Sequence, residues 1–263
     1  MKTNYHSHTT RCKHAVGEDE AYVLSAIKAG YDEIGFADHS PWPFEDSFIS
    51  GIRMLDSDLE AYVYSVRQLR EKYKNQISIR IGLECEYFEE YLPWLDEIVE
   101  RYQLDYLIFG NHFPFPKEET DSTYFGTGVK TKKELALYLE KAIKGMESGR
   151  FVYMAHPDLF TRCYPVFDNY CASVSRQICE KAKALGIPLE YNVSGYKYNE
   201  DFGVNGYPNQ NFWTIAAKVG CDVIIGLDAH NNLVYENEKL RERAEKEIKD
   251  LGLRLIDSLS FKN

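Results

Sequence analysis

Seven histidines carry most of the chemical capacity of this chain: His6, His8, His14, His39, His112, His156 and His230. Two acids share their settings, Glu84 closing IRIGLE and Asp228 closing VIIGLD. Imidazole nitrogen with carboxylate oxygen, and no thiolate, suits Zn, Mn or Fe as hydrolytic metals. Side chains alternate along an extended segment, so His6 and His8 share a side, as do Asp228 and His230. Glu84 and Glu86 share one too, with Cys85 turned away. A His-x-His pair alone is a weak signal. Together these residues exceed the three or four donors of one site and suffice for two or three ions if a carboxylate bridges. Taken singly, each has a bland explanation: His112 in FGNHF as a satisfied semi-buried histidine, Glu84 as a salt-bridge partner, Asp228 as a turn cap, His14 as a loop residue. Taken together, they would need separate explanations at equivalent places in the chain.

Those places are set by the elements. Apolar runs at 4–7, 33–37, 77–84, 106–110, 151–155, 189–193 and 223–227 predict seven strands. Amphipathic stretches at 18–29, 56–73, 92–102, 132–148, 169–185, 211–219 and 236–251 predict helices between and after them; Val63, Val66, Leu69 and Tyr73, for example, fall on one face. Gly30, Gly149, Gly186 and Gly220 are placed to stop helices. The alternation implies a parallel sheet with right-handed crossovers, open or closed into a barrel. All the histidines but His14 lie at or just past a strand C-terminus, the end where active sites of such folds collect.

Composition narrows the class. The 263 residues are 44% apolar, enough for a sizeable core without staples. With 41 Asp and Glu against 31 Lys and Arg, the chain has a formal charge of −10, which argues against nucleic-acid or membrane-surface partners. The start lacks the apolar core of a signal peptide, and no run is long enough for a membrane span. Six cysteines without a Cys-x-x-Cys pair read as reduced thiols, so a cytoplasmic location is expected. No linker or repeat divides the chain, and 1–263 is expected to be a single domain.

HSHTTRCKHA, GFADHSPWPF, IGLECEYF, FGNHF, MAHPDLFTR, LEYNVSG and IGLDAH, in that order, resemble the PHP (polymerase and histidinol phosphatase) superfamily, specifically its histidinol-phosphate phosphatase branch. The resemblance spans essentially the whole chain. It implies an α/β fold, a distorted (β/α)7 TIM-like barrel with a metal site at the strand C-termini. It groups His6, His8, Glu84 and Asp228 around one ion. Glu84 would bridge to a second, also held by His112 and His156, and His14, His39 and His230 would hold a third. The cofactors implied are two or three divalent ions, zinc foremost, with Mn or Fe as alternatives.

The activity implied is hydrolysis of L-histidinol phosphate to L-histidinol and phosphate, a step of histidine biosynthesis. Attack by metal-bound hydroxide is expected, since neither GxSxG nor DxDxT supplies a protein nucleophile. Arg162 is the first choice for clamping phosphoryl oxygens and Arg53 the second, with Ser194 and Gly195 after the sixth strand as further contacts. Arg162, Asp228 and His230 are the expected catalytic residues; His230 or Asp158 could protonate the leaving group. Trp42, Phe44, Glu45 and Asp46, with the aromatic and acidic stretch FPFPKEETDSTYFGTG, could recognise imidazole and amine, though lid packing explains any one of them equally. Gly126 and Gly128 in that stretch are not a phosphate loop. Cys171 and Cys179 should pack in the core, while Cys12 sits between candidate ligands. Competing readings are a phosphotyrosine or nucleotide phosphoesterase, a small exonuclease, a metal-stabilised non-catalytic module, and amide or lactone hydrolysis, for which no strand-end lysine is evident. A small phosphorylated substrate is the one partner expected; no protein partner is implied.

Overall fold

The computed structural model describes residues 1–118 and 124–261. Its elements begin β1 (Thr3–Asn4), α1 (Asp19–Lys28), β2 (Glu33–His39), α2 (Leu59–Tyr73), β3 (Ser78–Cys85), α3 (Leu92–Arg101) and β4 (Tyr106–Gly110). They continue with α4 (Phe125–Gly128), α5 (Lys132–Glu147), β5 (Met154–Ala155), α6 (Asn169–Leu185) and β6 (Leu189–Asn192). The last are α7 (Ser194–Phe202), α8 (Gln210–Val219), β7 (Asp222–Gly226), α9 (Glu238–Leu251) and β8 (Arg254–Leu255). Hydrogen-bonded strand order follows chain order from β1 to β8. Among the described residues no helix is long and apolar enough to cross a membrane.

Every predicted strand and helix has a counterpart, and the differences have physical reasons. The first and fifth strands are shorter than their apolar runs. β8, only two residues long, adds a strand that no apolar run announced. α7 escaped because SGYKYNEDF lacks an apolar stripe of helical period. The four stop glycines all adopt left-handed φ, from 68 to 78°.

The chain divides into two compact units. The first holds Met1–Ile108, Leu227–Lys239 and the tail from Asp257. Here β1 pairs with β2 and β2 with β3, all parallel, and the register sets His39 beside Glu84. β2 is buried along its whole length, as expected of a parallel strand covered on both faces. Tyr106 fills the core, its hydroxyl donating to the carbonyls of Tyr5 (2.7 Å) and Phe36 (3.1 Å). Only glycine leaves it room: a Cβ on Gly35 would lie 2.1 Å from that hydroxyl. The tail packs Phe261 against Tyr5 and Tyr106.

The second unit holds Phe109–Gly226 and Leu240–Ile256. The end of β4 pairs with β5, β5 with β6, β6 with β7 and β7 with β8, again all parallel. Side chains cap its helices: Thr131 and Glu134 form a capping box on α5, and Asp168 and Asn209 cap α6 and α8. Cys171 and Cys179 lie buried on α6, as their spacing predicts.

Candidate metal centre

In the first unit, backbone pairing alone assembles ligand types from distant parts of the chain. His8 N donates to the Ala229 carbonyl (3.0 Å) and Ala229 N to that of His6 (3.1 Å), which lays the His6–His8 segment beside Asp228 and His230. Ala37 N donates to Ser7 O (2.9 Å), bringing the same segment against β2. Four donor atoms then converge. His6 Nε2 lies 3.1 Å from His8 Nε2, 3.4 Å from Glu84 Oε2 and 3.5 Å from Asp228 Oδ1. His8 Nε2 lies 3.6 Å from the same Glu84 oxygen and 3.2 Å from the same Asp228 oxygen. Ligands about 2.0–2.1 Å from a tetrahedral zinc stand about 3.3–3.4 Å apart, so the set fits such an ion. His39 Nδ1 adds a contact to Glu84 Oε2 at 3.1 Å.

The electrostatics agree. Burial opposes a charged His8, yet Asp228 and Asp38 reverse this and hold its pKa above the ordinary value. Burial would likewise raise the Asp228 carboxyl, but His6, His8 and His230 hold it well below the usual range. Buried acids that favour positive charge on the rings between them suit a cation. Asp228 also keeps a left-handed φ of 47°, unusual for a non-glycine residue and a form of strain that gathers at functional sites.

A second arrangement in this unit pairs His14 with His230. Their Nε2 atoms lie 2.9 Å apart, while each Nδ1 faces a carbonyl, Cys12 O at 2.7 Å and Asp228 O at 3.0 Å. A carbonyl only accepts, so each Nδ1 carries the proton and each Nε2 of a neutral ring presents a lone pair. Burial and the neighbouring His8 push both rings down, His230 to about 3. Two lone pairs facing each other fit a shared ion. His39 groups with His8 and His230, and Cys12 with His14 and His230, each set within 4.8 Å. Burial, then Asp38, pushes the Cys12 thiol up to about 12, which leaves it protonated.

In the second unit, His112 follows β4 and His156 follows β5, with their Nε2 atoms 3.1 Å apart and both rings buried. His156 too has a left-handed φ, 27°, and its N–H donates to Glu190 Oε2 (3.0 Å). Glu190 is fully buried; a Cβ on Gly226 would meet its Oε1 at 1.8 Å, so that glycine makes its space.

Comparison with known proteins matches this architecture. The PHP domain model covers residues 4–192. The histidinol-phosphatase of Bacillus subtilis is 33% identical over 92% of this chain and 99% of its own length. The chain belongs to the PHP domain family. A probable histidinol-phosphatase of Deinococcus radiodurans is 24% identical, covering 95% of this chain and 94% of its own. The structure of histidinol phosphate phosphatase from Lactococcus lactis, complexed with zinc, L-histidinol and phosphate, aligns with TM-score 0.74 over 100% of this chain and 99% of that one. At 20% identity that likeness establishes the fold, an α/β TIM-like one.

Other expected site residues of this PHP domain occupy varied surroundings. Arg162, half-buried, lies over the Tyr198 ring at 4.1 Å, and its Nη1 donates to the Tyr124 hydroxyl (3.3 Å). Its Nε has no hydrogen-bond partner among the described residues. Ser194 begins α7; its hydroxyl bonds to Asn192 Oδ1 (2.7 Å) and lies 3.3 Å from that of Tyr207, whose carbonyl leaves no room for a side chain at Gly195. Arg53 is wholly buried, with its fork on Glu86 at 2.8 and 2.7 Å, so the phosphate-clamp expectation rests on Arg162. Asp158 is not on a rim: it is fully buried, accepts from Asn209 N (2.7 Å) and Trp213 Nε1 (3.0 Å), and burial pushes it up to about 7. Trp42 is buried against Phe88, Tyr91 and Trp94. Glu119 and Asp121 lie outside the described residues.

Sequence reasoning missed Asp38, Glu190, Tyr198 and Tyr207, and reached Tyr124 only as part of an aromatic stretch. For Asp38 the only signal was its place beside His39 in ADH. Glu190 in LEYN offered none, because nothing local marks an acid as buried.

Proposed function

We propose that the chain is a metal-dependent phosphomonoesterase that hydrolyses L-histidinol phosphate to L-histidinol and phosphate, in histidine biosynthesis. The observation that carries this reading is the four-donor set of His6, His8, Glu84 and Asp228, spaced for one ion, in a chain 33% identical to a histidinol-phosphatase along nearly its whole length. We assign a second ion to His112 and His156 and a third to His14 and His230 with His39, zinc being the first candidate for each. Bound divalent ions would supply charge to neutralise phosphoryl oxygens and would bring the pKa of water near neutrality.

The chain's own residues do the rest. Arg162 presents a planar fork to two phosphoryl oxygens, held in place by Tyr124 and Tyr198. The Ser194 hydroxyl, at the start of α7, can turn from Asn192 Oδ1 to donate to a third. Asp228 and His230 serve as ligands; a ring whose pKa is about 3 is a donor of electrons at neutral pH rather than of protons. Water supplies the oxygen, so heavy-oxygen solvent should label the released phosphate, and an acid quench should trap no phosphoprotein.

We further propose that 1–263 is one domain, supported by relatives of matching length, and that it works in the cytoplasm, as its free cysteines favour. A single calorimetric transition would support the first. The test of function is phosphate release from histidinol phosphate, phosphotyrosine and p-nitrophenyl phosphate, with metal analysis of the same sample. Preference for histidinol phosphate by at least tenfold in kcat/KM is expected. Preference for phosphotyrosine would overturn the substrate, and no release by a fully metallated sample would overturn catalysis.

A further inference from the structure

We infer that Asp38 is a positioning residue for the candidate metal centre: its carboxylate dictates which nitrogen of His8 faces the ion and ties the His39 strand end to the loop after β1. The inference rests on the metal reading above. Asp38 is fully buried at the end of β2. Its Oδ1 accepts from His39 N (2.8 Å) and faces His8 Nδ1 (3.4 Å). Its Oδ2 accepts from Thr9 N (3.2 Å) and from the Thr9 hydroxyl. Three donors, the His39 and Thr9 N–H groups and the Thr9 hydroxyl, fix the carboxylate and leave a lone pair of Oδ1 facing His8 Nδ1.

His8 is the residue for which this matters. Both its nitrogens face acids, Nδ1 toward Asp38 and Nε2 toward Asp228 and Glu84. A ring that ligates through Nε2 must carry its proton on Nδ1, and that proton needs an acceptor. Asp38 is that acceptor. The same carboxylate holds Thr9, whose hydroxyl accepts from Arg11 N (3.3 Å) and caps the 3-10 turn Thr10–Cys12 leading to His14. One side chain thus controls the orientation of His8, the placing of His39 and the approach of His14.

Asp38→Asn isolates the effect, because the amide has the same shape but turns two N–H donors toward either the Thr9 pair or the His39–His8 pair. Zinc affinity of the full chain, measured by competition with a chromophoric chelator, should weaken 10–100-fold, the range typical of such supporting carboxylates. Far-UV circular dichroism of the metal-free variant should be unchanged. Long-range 1H–15N correlation on zinc-loaded wild-type protein should show His8 protonated at Nδ1, a readout that a purely structural role would not set. Wild-type affinity in Asp38→Asn, or an Nε2 proton on His8 in the loaded wild type, would overturn the inference. Loss of zinc affinity in His8→Ala is the separate check on the underlying reading: if that variant binds zinc as tightly as the wild type, the metal assignment fails, not the role of Asp38.

Discussion

Two sets of histidines in the first unit meet opposite surroundings. His6 and His8 are fully buried between Glu84 and Asp228, and the acids favour positive charge there. His14 is exposed, His230 keeps 30% of its side chain accessible, and both are tethered to carbonyls with their basicity reduced. The buried set offers anionic oxygen and a low dielectric, the outer pair only neutral nitrogen beside water. Affinity for a cation should therefore be graded across a few ångströms, with a firmly held ion inside and an exchangeable one outside.

Asp228→Asn should have the largest effect, and asparagine tolerates the left-handed backbone there. The inner ion should be lost and turnover should fall on the order of a thousandfold, as several kcal/mol of charge stabilisation at about 1.4 kcal/mol per decade implies. His230→Ala should cost one equivalent of zinc and retain the rest. Loss of more than one equivalent in His230→Ala, read by elemental analysis, would erase the gradation. Arg162→Lys belongs to neither set: turnover should drop by about a hundredfold with zinc content intact, because the charge stays and the fork is lost. Brief dialysis against a weak chelator should strip the outer pair first; simultaneous release would place the two sets on equal footing.

Acid should invert that order. His8 has a raised pKa, so protons compete with metal at the inner set as pH falls toward and through that value. His14 and His230 have lowered values and stay unprotonated further into acid. Between pH 8 and 6, zinc affinity should decline more steeply in His230→Ala, which keeps the inner set, than in His8→Ala, which keeps the outer. Parallel pH profiles would break the comparison.

Much of this was legible beforehand. Strand ends are marked by apolar runs closing on His or an acid, so His39, Glu84, His112, His156 and Asp228 could be placed from local pattern alone. Partners could not. Arg53 reads as a loop cation until Glu86 is seen to hold it inside the protein, and Asp158 reads as a rim acid until burial is known. Asp38 looks like a neighbour of His39, and its work on His8 and Thr9 crosses from one strand end to another loop.

Residue types and their alternation determined by themselves that donors for cations gather at strand C-termini, because a strand's period of two and a helix's of 3.6 are written into every short window. Only the tertiary structure decided which donors face one another, which nitrogens of His14 and His230 face carbonyls, and which charges are already satisfied. Those depend on distances between segments up to some two hundred residues apart, and no local period encodes them.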